Sequence, residues 1–295
     1  MRLVNNGVIL PNSQELKFNF EAVNLKAVDL RVIKIFEDNI LQFLQDNELS
    51  SSNENSIRQV GRRIVKKTIL LTSEAAQDNE QWKTYSVDLS SLFKADQGAI
   101  YRVEVEFKKE YALYDCSVNR NITNTENNDD YYHDDYYYDE NTTSTTEDEA
   151  LREEAYWDNV TYRYRNNNYN WRERDNPCHE AYYNSDRMVS QNLMASNLGV
   201  LVKKGTTSDY YFAVTNLLNT NVEAQALVKI YNYQQQEIAS AKTNAEGLAT
   251  IRSDKRAAFA IISKDNSHTY IKLGDGNSLS LSKFDVSRKS ITTRP

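Results

Sequence analysis

From Leu198 to Ile251, hydrophobic and polar positions alternate with a period of two. Tyr211, Ala213 and Thr215 fall on one side of the chain and Phe212, Val214 and Asn216 on the other, and further on Ala226, Val228 and Ile230 oppose Leu227, Lys229 and Tyr231. That period puts successive side chains on opposite faces of a strand, so each segment offers one face to a core. The alternation breaks at Asn219-Thr220-Asn221 and at Asn244-Ala245-Glu246-Gly247. There, side-chain acceptors and residues that tolerate positive φ meet the needs of tight turns. The stretch predicts half of a small β-sandwich.

The N-terminal third repeats the pattern. Leu16, Phe18 and Phe20 point one way, and Val28, Leu30, Val32 and Lys34 alternate with Arg31, Ile33 and Ile35. The period then changes: Asn39 stands where a helix cap would, Gln42 stands at the reciprocal position, and Ile40, Leu41, Phe43 and Leu44 make one apolar stripe. This predicts a short helix across the open end of a sandwich. Strands resume at 63–71 and 84–87, and Asp88 is placed to cap a single turn that buries Leu89, Leu92 and Phe93. A turn at Gln97-Gly98 leads into 100–111, where Tyr101, Val103, Val105 and Phe107 share a face.

With 295 residues the chain can hold two domains, each with its own core. A hydrophobic content of 40% and a mean hydropathy of −0.71 describe small cores and much polar surface. No run approaches the ~18 apolar residues of a membrane helix, and the first residues lack the long apolar stretch and small-residue cleavage site of an export signal. The net charge of −7 is unevenly spread. Between Glu126 and Asp158 thirteen acidic residues face one basic residue, Arg152, so this segment carries −12 and the rest of the chain +5. Phosphate recognition needs a clustered basic face, which excludes nucleic acid as the expected partner.

Residues 117–197 are compositionally unlike either flank. Their acidic, tyrosine-rich part, 129–155, has no alternation that would bury a face, and is expected to be partly disordered or loosely adhered. From Tyr156 onward Arg replaces acid and two tryptophans appear; eleven of the twenty tyrosines lie between Tyr131 and Tyr183. Trp157, Tyr162, Tyr164, Tyr169 and Trp171 are therefore read as aromatics that strap neighbouring domains together, or that pack on a ligand such as a sugar ring.

Candidate chemistry is sparse. Asp129, Asp130, His133, Asp134 and Asp135 lack the glycine and the fixed carboxylate spacing of a calcium loop and read as a solvated acidic run. His133, His179 and His268 are scattered, and adjacent Cys178 and His179 point apart on an extended chain, which disfavours a nucleophile pair. No catalytic residue, cofactor or metal is assigned, and the chain is read as a non-enzyme. Cys116 and Cys178 are the only thiols. They are a disulfide in an oxidising compartment or two unrelated thiols in a reducing one; because both flank the polar insert, the disulfide is favoured.

LGVLVKK, followed by VTNLLNTNVEAQALVKIYNYQQQEIASAKTNAEGLATI and YIKLGDGNSLSLSKFDVS, resembles a macroglobulin-type β-sandwich domain from the N-terminal half of bacterial α2-macroglobulins, over residues 198–287. The segment VDLSSLFKADQGAIYRVEV resembles the transition into the last strand of another such domain. The fold implied is all-β: two tandem, immunoglobulin-like antiparallel sandwiches. The first spans 1–116 and contains the short helix, a connector spans 117–197, the second sandwich spans 198–287, and a tail spans 288–295.

The family inhibits proteases by physical entrapment, and its covalent members carry an internal thioester in a Cys-x-Glu-Gln motif. Cys178-His179-Glu180-Ala181 departs from that motif, since Ala181 has no carbonyl to acylate the sulfur, so Cys178 is not a thioester. The resemblance implies a scaffold fragment whose partners are neighbouring macroglobulin domains and, through the full-length protein, target proteases. It also implies a periplasmic or cell-envelope location with a lipoprotein anchor outside this chain. The alternative is a cell-surface adhesin or glycan-binding module that uses the aromatic connector.

Overall fold

The computed structural model describes residues 1–4, 9–10, 16–49, 56–71, 81–96, 98–116, 157, 170–183, 187–205 and 208–274. Alternating apolar residues build two sheets around the first core. Strands β1 (Arg2–Leu3), β3 (Lys17–Ala22) and β6 (Lys83–Asp88) form an antiparallel sheet in the order β1-β3-β6. The facing sheet has the order β2-β8-β7-β4-β5, made of β2 (Ile9–Leu10), β8 (Val189–Ala195), β7 (Ile100–Glu106), β4 (Ala27–Ile35) and β5 (Gly61–Leu70). Among the described residues of this sheet, only the β2–β8 pairing is parallel.

Between the sheets every second residue is buried: Phe18 and Phe20 from β3, Val28, Leu30 and Val32 from β4, and Tyr101, Val103 and Val105 from β7. Each such side chain contributes about 1.5–3 kcal/mol relative to exposure. Asp88 does cap the turn Leu89–Ser91, its Oδ1 accepting from the Ser90 amide at 2.9 Å, and Leu89 is fully buried.

The second sandwich follows the same rule. Strands β9 (Leu198–Lys204), β10 (Asp209–Asn216) and β13 (Leu248–Arg252) form one sheet in the order β13-β10-β9. The other is β12-β11-β14-β15, from β11 (Leu227–Tyr231), β12 (Glu237–Lys242), β14 (Phe259–Lys264) and β15 (Ser267–Lys272). Tyr210, Phe212, Val214, Val228, Ile230 and Ile262 meet in its core. At the predicted turn, Asn244 Oδ1 accepts from the amides of Glu246 and Leu248, and Gly247 takes φ +72°. A side chain at Gly247 would place its Cβ 2.6 Å from the Val214 carbonyl oxygen, so the turn needs glycine there.

One boundary differs from the sequence reading. Residues 189–195, read there as the end of the connector, are β8, a strand of the first sandwich hydrogen-bonded to β7. The segment VSQNLMA hides this because Ser190, Gln191 and Asn192 are polar yet buried. The first sandwich thus draws on chain from both sides of the insert, and only Ser196 and Asn197 separate its last strand from β9. Residues 275–287, which carry part of the resemblance, and the tail 288–295 lie outside the described residues.

Candidate functional site

The two sandwiches meet along a seam with its own hydrophobic core. Ile33 and Ile35 of β4, Ile100 of β7 and Met194 of β8 face away from the first sandwich's interior. Helices α1 (Ile40–Asp46) and α2 (Ile57–Val60) cover this outer face with Ile40, Phe43, Leu44, Ile57 and Val60. Phe259 and Tyr270 of the second sandwich complete the cluster, and Trp157 is buried in it at 3% exposure. The predicted apolar stripe of the helix is therefore present, but it lies in the seam rather than over an open end. An apolar outer sheet face must be covered, and α1 covers it. Asn39 makes no side-chain cap; its Nδ2 donates to the Val60 carbonyl at 3.3 Å and ties α1 to α2.

Polar contacts bind the two sides. The Tyr270 hydroxyl donates to the Gly98 carbonyl at 2.6 Å, and Ser196 Oγ and Thr269 Oγ1 lie 2.9 Å apart. Gln45 Nε2 donates to the Tyr233 carbonyl at 2.6 Å and Lys272 Nζ to the Asn47 carbonyl at 3.1 Å. Burial, reinforced by the carboxylates of Glu37 and Asp38, pushes the Tyr270 hydroxyl pKa upward, so it remains a donor throughout the physiological range.

Farther along the same outer face the sheet carries buried charge. Arg102 and Glu104 on β7 are 0% and 1% exposed. Arg102 Nε donates to Glu104 Oε1 at 2.9 Å and its Nη2 to Ser190 Oγ at 3.0 Å. Arg31 Nε lies 3.4 Å from Glu104 Oε2, and its Nη2 donates to Glu106 Oε2 at 2.7 Å. On neighbouring backbone, Asp29 gathers three donors: Thr68 Oγ1 at 2.7 Å, the Lys108 ammonium at 2.9 Å and the Tyr111 hydroxyl at 2.9 Å. Burial works against the Asp29 carboxylate, but these donors together outweigh it and hold its pKa below the usual range.

Cys116 and Cys178 are joined as a disulfide, with Cα atoms 5.5 Å apart. The bond fastens the chain that follows β7 to a compact pair of 3-10 turns, Trp171–Glu173 and Glu180–Tyr183. Lys109 pairs with Glu180 at 3.0 Å and the Phe107 and Tyr183 rings meet edge-on at 5.8 Å, so this unit sits against the end of the first sandwich.

The aromatics singled out in the sequence separate accordingly. Trp157 joins the seam core, whereas Trp171 is 68% exposed, with the Arg174 guanidinium 5.9 Å from its ring centre. Tyr162, Tyr164 and Tyr169 lie outside the described residues, as does the acidic run 129–135. Among the described residues no three His, Cys, Asp or Glu side chains converge as metal ligands, and no helix is long and apolar enough to cross a membrane. Sequence reasoning missed Phe259, Tyr270, Arg102 and Glu104. In alternating strands the positions opposite a core read as solvent-facing, and nothing local says that Phe259 and Tyr270 meet the other sandwich or that Arg102 and Glu104 are buried on their own sheet's outer face.

Comparison with known proteins agrees with this architecture. Residues 195–290 match the family model of the bacterial alpha-2-macroglobulin MG3 domain. The fold is similar to a crystal structure of native alpha-2-macroglobulin from Escherichia coli spanning domains NIE-MG1, at 13% identity and a TM-score of 0.53, covering 92% of this chain and 95% of that one. An alpha-2-macroglobulin from Salmonella aligns at 14% identity and a TM-score of 0.49, covering 97% of this chain and 12% of that chain. The chain therefore spans about an eighth of the Salmonella protein's length. Among curated proteins nothing matches.

Proposed function

We propose that this chain, whose residues 195–290 match the MG3 domain of bacterial alpha-2-macroglobulins, is a structural segment of a protease inhibitor of that kind. Its task is to hold two macroglobulin-type sandwiches at a set angle, so that a larger multidomain body can enclose a protease. The carrying observation is the seam: a continuous apolar cluster from both sandwiches, with Trp157 buried in it and Tyr270 hydrogen-bonded across it. Interfaces with a packed apolar core resist relative domain motion, whereas small polar ones permit it. The Cys116–Cys178 disulfide fits an oxidising compartment, and we place the protein in the periplasm or cell envelope, with neighbouring macroglobulin domains and target proteases as partners.

Entrapment leaves a protease able to cut small substrates while shielding it from large ones. In the full-length protein, Trp157→Ala with Tyr270→Phe should loosen the seam and weaken protection of a large protein substrate, with little change toward a short peptide substrate. Full inhibition by the variant, or equal inhibition toward both substrate sizes in the parent protein, sinks this reading. A second reading, a glycan-binding module, draws on the exposure of Trp171. It predicts reproducible binding on a glycan array that Trp171→Ala abolishes.

A further inference from the structure

The outer face of the sheet β13-β10-β9 is apolar and open to solvent. Tyr210, Phe212 and Val214 of β10 point into the core, which leaves Tyr211, Ala213 and Thr215 on the opposite side. The strand register sets Leu201 of β9 and Leu248 of β13 on either side of Ala213. Leu201 is 71% exposed, and Leu248 and Tyr211 are half-exposed. One row along, an isolated bridge sets Val222 beside Thr215, and Leu217 leans over Gly199, the β9 partner of Thr215. Val222 and Leu217 are exposed as well. These side chains adjoin one another and together present several hundred Å² of apolar surface, the size at which a patch marks an interaction site rather than scattered surface residues. The seam does not use this face, because Phe259 and Tyr270 belong to β14 and β15 in the opposite sheet.

Shape and charge point to what covers it. Ala213 is a small residue between two leucines, so a shallow furrow runs along β10 with a ridge on each side. Sheets packed face to face interdigitate such ridges, and a surface of ridge, furrow and ridge fits a copy of itself. The two ends of the face differ in charge. Lys203, paired with Tyr211, and Arg252 lie towards one end, and Glu246, in the turn before β13, lies towards the other; all three are exposed. Two copies stacked with their β10 strands antiparallel set the cationic end of each over the acidic end of its partner. An apolar centre with a polar rim is the anatomy of a specific interface, which buries about 800 Å² per partner.

We propose that this face is a homodimer interface, in which two copies of the chain stack their β13-β10-β9 sheets about a two-fold axis that passes close to Ala213. The leucine ridges of one copy lie against the furrow of the other. Such a contact uses the same patch twice, so it closes at two copies and does not propagate. This goes beyond the scaffold role and stands or falls apart from it, because it is tested on the 295-residue chain alone, with no protease present.

Sedimentation equilibrium from about 1 to 300 µM reads the association, and we expect a monomer–dimer equilibrium with a Kd of roughly 1–100 µM, at the weak end of specific interfaces. Leu201→Glu and Leu248→Glu should each weaken dimerisation at least roughly tenfold, since each would bury an unpaired charge, and Glu246→Lys about threefold. These side chains are exposed, and an unchanged Tm in dilute, monomeric solution certifies folding. Ala213→Cys, beside the axis, should give a covalent dimer under mild oxidation, whereas Ser240→Cys, on β12 in the opposite sheet, should not. A monomer throughout the range, a dimer indifferent to both leucine substitutions, or an assembly that grows past two copies overturns the assignment. If the chain stays monomeric and Ala213→Cys is shielded from thiol reagents only in the full-length protein, the face belongs to a further domain of the same polypeptide and the proposal falls.

Discussion

Glu104→Ala isolates the energetics of the first sandwich's outer face. In the folded protein Glu104 accepts from Arg102 at 2.9 Å and lies 3.4 Å from Arg31 Nε, with both Arg102 and Glu104 essentially free of solvent. Truncation removes this counter-charge from the buried Arg102 guanidinium while its hydrogen bond to Ser190 Oγ remains. Breaking one side of a buried pair costs about 3–5 kcal/mol, mostly as the desolvation of the surviving ion. At roughly 2–4 °C per kcal/mol for a protein of this size, Tm should fall by about 10 °C. Denaturant unfolding followed by circular dichroism reads the same loss as a lower midpoint at constant m-value. The control removes both charges: Arg102→Met with Glu104→Leu should lie within about 1.5 kcal/mol of the parent, because desolvation of the pair largely cancels its attraction. A loss below about 1 kcal/mol for Glu104→Ala, or a double replacement as damaging as the single one, would show that solvent or another cation compensates Arg102 and refute the reasoning.

Asp29→Asn tests the linked carboxylate. A folded-state pKa below the unfolded value contributes stability that is present above the unfolded pKa, near 3.9, and is lost as pH falls through the folded one. The stability gap between parent and variant should therefore be widest at neutral pH and close on acidification below about pH 4; a gap that widens toward acid contradicts the assignment. Tyr270→Phe removes the donor to the Gly98 carbonyl and should cost about 1–2 kcal/mol, with two partly separated unfolding transitions in calorimetry; one unchanged transition would deny the hydroxyl a role in coupling. Cys116→Ser together with Cys178→Ser should lower stability by up to about 4 kcal/mol on the chain-entropy model, and the parent should show no free thiol under denaturing, non-reducing conditions.

What alternation could reveal was legible in the chain. Phe18 and Phe20, Val28, Leu30 and Val32, and Phe212 and Val214 each share one face of an alternating strand and are buried, and Asp88 and the Asn244–Gly247 turn act as their chemistry suggests. Period two distinguishes two faces of a strand, but it cannot tell solvent from a neighbouring domain. Arg102 and Glu104 stand opposite the core on β7, and β8 carries polar Ser190 and Asn192 on the same outer face, so the chain alone does not mark these positions as buried. Trp157 is buried and Trp171 exposed, since aromatic content records the capacity to pack and not the place.

The pairing of β8 with β7 also bears on how the protein is made. Arg102 and Ser190 touch across 88 residues of sequence, so the central sheet of the first sandwich cannot close until the chain as far as Ala195 has been synthesised. By then synthesis of the second sandwich is about to begin, only two residues downstream. The N-terminal strands must wait, with one edge of β7 unpaired, through the whole of the acidic insert. A single cut within that insert would likewise not separate the sandwiches: the strand that completes the first is continuous with the second, and the disulfide spans the gap. The first sandwich thus becomes complete only as the second is about to emerge.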